Sequence, residues 1–354
     1  MLDWNRYGPT AARTHGPPGR DLRPKSITID IHSHVMAPEA AAFVVPHLDL
    51  SKVPAIRHAT GDTKSINLRQ EAERGALMTG HDERLIHMDE MGLDMQLVSP
   101  SPIQCYFSLE PETGVKAARL VNEGVAEFVG KRPDRFVALG TAPLQAPDAA
   151  VRELEHCMEK LGFKGVEILT HVNGSELSDP VFEPFWARAE ALGALVMIHP
   201  MGFGEGARLA RFYFNNVIGN PLDTTVAIHH LIFDGVPERY PALKILAVHG
   251  GGYAASYAGR MDHAWGARAD SRGTLPHPPT HYLKKFYFDT VVFAPSQLES
   301  LVRDFGADHI LMGTDYPFDM GEYDPIGHIA AAPALDAAAR AAIAGGNAKR
   351  LLGL

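Results

Sequence analysis

Short apolar stretches alternate with segments of helical periodicity along nearly the whole chain, and this alternation constrains the fold more than any other feature. Residues 26–35, 95–99, 135–140, 165–169, 195–199, 243–249, 286–291 and 309–315 each read as a strand, being brief, rich in Val, Ile, Leu and Phe, and bounded by polar or glycine positions. Between them the spacing predicts helices. The clearest is 82–91, where Leu85, Met88 and Met91 share a face and Gly92 stops the run. Others are predicted at about 113–129, 147–161, 180–192, 222–234, 253–265 and 296–305, with an Ala-rich helix at 335–352 closing the chain. Eight strand-then-helix units imply an all-parallel sheet, and eight of them favour a closed (β/α)8 TIM barrel of the α/β class over an open doubly wound sheet. No Gly-x-Gly-x-x-Gly follows the first strand, which argues against a dinucleotide fold. Gly250-Gly251-Gly252 lacks the Lys-Ser/Thr of a nucleotide loop and is expected only to turn the chain tightly beside His249.

Two stretches fall outside this rhythm. Residues 1–25 carry Gly-Pro pairs and several arginines without apolar periodicity, and read as an irregular N-terminal arm to a barrel domain over 26–354. Residues 36–82 are polar and irregular apart from an apolar patch at 40–50, and are expected to form a long loop after the first strand, a candidate lid.

Composition excludes several function classes. With 45% hydrophobic and 21% charged residues the chain reads as a soluble globular protein; it has no apolar run of membrane-spanning length and no leader pattern, so a cytoplasmic location is expected. A net charge of -9 gives no general attraction for nucleic acid or an anionic membrane. Two cysteines, Cys105 and Cys157, make no disulfide framework or Cys-x-x-Cys pair, so any metal must be held by histidines and carboxylates.

Those residue types cluster where a barrel keeps its chemistry, at the C-terminal strand ends. His32 and His34 close the first strand, and residues two apart on a strand face the same way, so the two imidazoles can share one ion. His199, His249 and Asp315 close the fifth, sixth and eighth strands, so five groups converge on one rim. His87, His156, His281 and His328 are expected to be structural or solvated, and His229 and His230, inside a helix, to serve packing or surface. His171, just past the fourth strand, is the borderline candidate for the pocket.

Asp30-Ile31-His32-Ser33-His34, with Ile198-His199-Pro200, Val248-His249-Gly250-Gly251-Gly252 and Gly313-Thr314-Asp315-Tyr316-Pro317-Phe318, resembles the amidohydrolase superfamily. More narrowly it is similar to the aminocarboxymuconate-semialdehyde decarboxylase branch of zinc-dependent, non-oxidative decarboxylases, from about residue 26 to the C-terminus. The resemblance implies that His32, His34, His199 and Asp315 hold one Zn2+, with Mn2+ or another divalent ion admissible, and that His249 is the acid/base group acting on metal-bound water. The fourth-strand region, Val166 to His171, has no lysine to carry a bridging carbamate, which implies a single ion. For the substrate, a small carboxylic acid, the resemblance points to Arg69 in the lid and to Arg260, which would reach a neighbouring subunit's site and make the protein a homodimer or higher oligomer. His171, Phe318 and Asn216, the last standing where the family carries a pocket tryptophan, complete the expected contacts. The implied substrate is an aromatic or cyclic acid, such as a hydroxy- or aminobenzoate, or an open-chain muconate semialdehyde. Two competing readings are a mononuclear hydrolase or hydratase on the same scaffold and a non-catalytic barrel, against which the complete ligand set argues.

Overall fold

The structure is a computed structural model that describes residues 19–354. Most of the expected arm, residues 1–18, lies outside the described residues; its end forms a 3-10 turn, Gly19–Leu22, packed against the segment around Asp324–Gly327. Eight parallel strands follow. They are β1 (Ile29–Val35), β2 (Met95–Pro100), β3 in two pieces (Phe136–Ala138 and Gly140–Thr141), β4 (Gly165–Leu169), β5 (Leu195–His199), β6 (Lys244–Ala247), β7 (Tyr287–Asp289) and β8 (Ile310–Leu311). The first piece of β3 pairs with β2 and the second with β4, so the strand passes the ladder from one part of the sheet to the other. The barrel closes where the Ile31 amide donates to Met312 O at 2.8 Å and the His34 amide to Tyr316 O at 2.7 Å.

Two apolar layers hold the barrel. Ile29, Ile31, Leu97, Leu139, Leu195, Met197, Leu246 and Leu311 fill its interior and pack against Ala348, Leu351 and Leu352 of the C-terminal helix. The larger layer lies between sheet and helices and includes Val121, Phe185, Trp186, Ile228 and Phe288. Ile29 and Ile31 point inward on β1, yet so do His32 and His34. The register shift between Asp30 and Ser33 reconciles them, because an extra residue in a strand exchanges its two faces. Apolar residues thus plug one end of the barrel while histidines of the same strand face the other.

The largest departure from expectation is residues 36–82, which are mainly helical rather than an irregular loop: Pro38–Val44, Pro54–Arg57 and the 19-residue helix Gly61–Thr79. The long helix is capped by Thr60, whose side chain accepts from the Thr63 amide, and is built from good helix formers. It buries only Gln70, Leu77 and Met78, because part of its inner face borders the cavity rather than the core. An apolar stripe is therefore missing. Elsewhere, the helix expected at 253–265 begins at Ala258, after a run of turns. The C-terminal helix is interrupted at Ala342–Gly346, where a Cβ on Gly345 would stand 2.1 Å from Ile27 O.

Candidate metal centre

His199 ends β5 and the pair His32 and His34 lies within β1, but His249 and Asp315 stand beyond their strands, not on them. Both adopt left-handed backbone, with φ of 55° and 59°. Few non-glycine residues do so without support, and the support is hydrogen-bonded. Asp289, at the end of β7, accepts from the amides of His249 (3.0 Å) and Gly250 (2.8 Å). The Asp315 amide donates to His32 O at 2.8 Å. Gly250 itself has φ 62°, and a Cβ there would fall 2.4 Å from Val292, so glycine is required at this turn.

These segments bring all five strand-end groups together. Ligand atoms of His32, His199, His249 and Asp315 lie within 4.8 Å of one another. His34 joins them, with Nε2 3.1 Å from His32 Nε2 and 3.2 Å from Asp315 Oδ1. Each of the three imidazoles proposed as ligands is held from behind through Nδ1: His32 by Asp289 (2.7 Å), His34 by Pro100 O (3.2 Å) and His199 by Pro200 O (2.7 Å). Their Nε2 atoms consequently face one point. His199 Nε2 is buried without a hydrogen-bond partner, an arrangement that costs free energy unless a cation takes its lone pair. Three imidazoles and a carboxylate suit a divalent ion of the zinc or manganese kind.

Electrostatics follow the same geometry. Burial pulls the His199 imidazole well below its ordinary range, and the neighbouring histidines reinforce the shift, so it stays neutral and able to ligate. For Asp315 burial acts upward, but the charges of His32 and His249 and the hydrogen bonds from His249 and His34 prevail and hold the carboxyl well below its usual value. Two further buried acids frame the centre. Asp30 accepts from the His32 amide (3.0 Å), the Thr314 amide (3.0 Å) and Gln96 Nε2 (2.9 Å), tying β1 to β2 and to the Asp315 segment; burial raises it to about 6. Glu167 in β4, 3.6 Å from His34 Nδ1, is raised by burial to about 7.

The centre opens onto a cavity with two lobes that meet at Asn216, Asn220, Asp315 and Met320. The smaller, about 180 Å³, is lined by His199, Arg74, Tyr213, Phe318 and Asp319; the larger, about 430 Å³, by His249, Phe293 and Gln297. Asn216 and Phe318 therefore border the cavity, the Phe318 ring lying tilted 5.1 Å from the His34 ring. His171 does not reach either lobe; it lines a side chamber of about 50 Å³ beside Thr170 and Asp223. Arg69 is exposed on the outer face of its helix, away from the cavity, because Gln70 and Arg74 occupy the inner one. Arg260 is also exposed and away from the cavity of its own chain.

Five residues around the centre were not singled out from the sequence. Asp289 ends its strand in the structure as His199 does, but the stretch 286–291 read from the sequence runs past it, so the strand-end rule misses it. Glu167 is marked by its isolation, a lone acid inside an apolar strand. Asp30, although part of the His-x-His motif, gives no sign of its bonding role. Arg74 and Asp319 carry no local signal, since their positions depend on a helix and a turn that apolar periodicity does not reveal.

The amidohydrolase family description matches residues 29–354. A curated relative, the 2-amino-3-carboxymuconate-6-semialdehyde decarboxylase of Dictyostelium discoideum, is 34% identical over 77% of this chain and 76% of its own length. The crystal structure of 5-carboxyvanillate decarboxylase from Sphingomonas paucimobilis superposes with a TM-score of 0.82 at 28% identity, covering 93% of this chain and 99% of that one. A dihydroxybenzoic acid decarboxylase from Polaromonas sp. JS666, solved with bound manganese and 2-nitroresorcinol, superposes with a TM-score of 0.75 at 25% identity, covering 93% and 97%. The barrel, the imidazole and carboxylate cluster and these likenesses agree: the chain belongs to the amidohydrolase family, in the branch of the 2-amino-3-carboxymuconate-6-semialdehyde decarboxylases.

Proposed function

We propose that this chain is a divalent-metal-dependent, non-oxidative decarboxylase of an aromatic or cyclic carboxylic acid, with Zn2+ held by His32, His34, His199 and Asp315. The observation that carries the reading is the buried cluster of imidazoles and a carboxylate itself, with the lone pair of His199 Nε2 unsatisfied, beside a cavity large enough for a substituted ring. When bound, the ion supplies positive charge that orients an anionic substrate and stabilises charge developing in the transition state.

The chain's own groups supply the rest. Arg74, 4.9 Å above the Phe318 ring in the cavity wall, is positioned to receive a substrate carboxylate, the part assigned to Arg69 on sequence grounds. His249 Nε2 lies 3.5 Å from Asp315 Oδ2. Burial acts downward on the imidazole, but the hydrogen bond and charge of Asp315 outweigh it and raise its proton affinity, which suits a proton donor. Loss of CO2 leaves the carbon–carbon bonding pair on the ring carbon; a proton from His249 takes its place, and no redox partner is needed. Phe318 and Asn216 shape the ring site.

A homodimer accompanies this reading. Phe212, Val217 and Tyr257 are 69%, 47% and 68% exposed, large apolar side chains of the kind a second copy would cover, and Arg260 stands exposed three residues from Tyr257. Light scattering on the purified protein tests it, and a monomer at micromolar concentration refutes it. Two free, buried cysteines suit a reducing cytoplasm. Among the described residues no helix is long and apolar enough to cross a membrane.

The deciding experiment offers hydroxybenzoates, aminobenzoates and a muconate semialdehyde to the metal-loaded protein and follows CO2 and product together. Release of CO2 with the protonated product is expected. Hydrolysis or hydration without CO2 would establish the hydrolase reading instead.

A further inference from the structure

Asp289 is fully buried at the end of β7, and its carboxylate accepts four hydrogen bonds. Oδ2 takes His32 Nδ1 at 2.7 Å and the His249 amide at 3.0 Å; Oδ1 takes the amides of Gly250 at 2.8 Å and Val291 at 3.1 Å. We propose that Asp289 is a positioning residue with two simultaneous tasks: it fixes His32 in the tautomer that offers Nε2 to the ion, and it clamps the turn that presents His249. This rests on the reading of His32 as a metal ligand.

The argument is one of donor and acceptor balance. An ionised carboxylate only accepts, so His32 must carry its proton on Nδ1 and keep the Nε2 lone pair facing the cluster, where Nε2 stands 3.4 Å from Asp315 Oδ1. The backbone shares the same anion. His249 and Gly250 have φ of 55° and 62°, and at His249, a residue with a Cβ, such a conformation is unfavourable unless its surroundings hold it. Two adjacent amides converging on one buried carboxylate provide that hold. One side chain therefore sets both the ligand lone pair and the proton-transfer group, which lie on segments far apart in sequence.

Asparagine has the shape of aspartate but not its chemistry. Its NH2 must face either His32 and the His249 amide or the amides of Gly250 and Val291. In the first orientation it donates to Nδ1, drives the His32 proton to Nε2 and blocks the ligand lone pair. The second opposes an NH2 to two backbone donors, which loosens the clamp. A role confined to filling space makes the opposite prediction, with asparagine mild and alanine severe.

The test measures Zn2+ affinity by competition with a chromophoric chelator in the wild type, Asp289→Asn and Asp289→Ala, with thermal melts of the metal-free proteins alongside. Asp289→Asn is expected to bind Zn2+ about 10–100-fold more weakly, as loss of such a partner typically does, and to be at least as impaired as Asp289→Ala. Wild-type affinity in Asp289→Asn, or impairment in Asp289→Ala alone, overturns the proposal. Should the variants not fold, the 15N chemical shifts of His32 in the metal-free wild type decide: a proton on Nδ1 supports the assignment and one on Nε2 refutes it. A wild type that binds no divalent ion overturns the reading of the centre, a failure the tautomer measurement reports separately.

Discussion

Replacing Arg74 and Arg69 in parallel separates what the structure says about substrate binding from what the sequence alone suggests. Arg74 lies on the inner face of helix Gly61–Thr79 with its guanidinium 4.9 Å over the Phe318 ring, while Arg69 points away from the cavity. A guanidinium on a carboxylate makes charge-assisted hydrogen bonds worth about 1.5–3 kcal/mol each in net terms. The cavity is partly open to water, so the lower part of a paired interaction is the appropriate magnitude, about 2–3 kcal/mol, or roughly 30–150-fold in kcat/KM. Arg74→Ala should lose that factor, chiefly in KM if the grip is the same in ground and transition states, and leave divalent-metal content unchanged. Lysine at position 74 should restore only part of it, because a point charge does not reproduce the planar fork. Arg69→Ala should stay within about twofold, as expected for an exposed charge. Steady-state kinetics on the preferred acid, with metal content measured on the same samples, gives all three values. The reasoning fails if Arg74→Ala is near normal and Arg69→Ala is not, since Arg69 would then reach a site from outside its own chain.

Other perturbations probe the centre and its frame. His249→Asn should retain the ion yet lose about 10²–10⁴-fold in kcat, the range for a general acid/base; near-normal turnover would remove His249 from proton transfer. Stripping the ion with a chelator should abolish activity and lower Tm, since saturation at a hundred times Kd stabilises by about 2.7 kcal/mol; an unchanged Tm would mean that no ion is bound in the folded state. Arg84 is fully buried and donates to Gln96 Oε1 (2.9 Å), His34 O (2.8 Å) and Leu77 O (3.1 Å), so Arg84→Met should cost about 2–4 kcal/mol in urea unfolding by leaving three acceptors unmatched. A loss below about 0.5 kcal/mol would refute that account, being no more than an ordinary surface substitution. At Asp94 burial acts upward, but hydrogen bonds from Arg23 and Thr28 hold the carboxyl below its usual value. Its contribution is therefore present above the unfolded pKa near 3.8 and is lost as pH falls through the lower folded value. Asp94→Asn should destabilise at pH 7 and approach the wild type as pH falls below 3.8 through the folded value, and a difference that stays constant with pH would contradict the assignment.

What the sequence could and could not reveal divides along physical lines. Strand and helix alternation survives in sequence because each element must bury an apolar face, and it locates the strands that carry His32, His34 and His199, although the inward face of the first pair depends on a register shift that alternation does not show. His249 and Asp315 are found one step less well. Strand propensity carries through Val248 and Thr314, but the backbone turns left-handed at both acidic and imidazole residues because Asp289 and His32 O hold it there, and no local pattern encodes a distant acceptor. The helix Gly61–Thr79 is invisible for the opposite reason: part of its inner face borders a polar cavity, so the residues that would announce amphipathicity are replaced by Gln70 and Arg74. Where a segment's inner face is built for a ligand rather than for the core, hydrophobic periodicity fails, and the failure itself marks the segment. A polar stretch of helix formers with a sound N-cap, placed directly after a strand that carries His-x-His, is thus better read as a cavity wall than as a loop, and its arginines deserve testing by face and not by alignment.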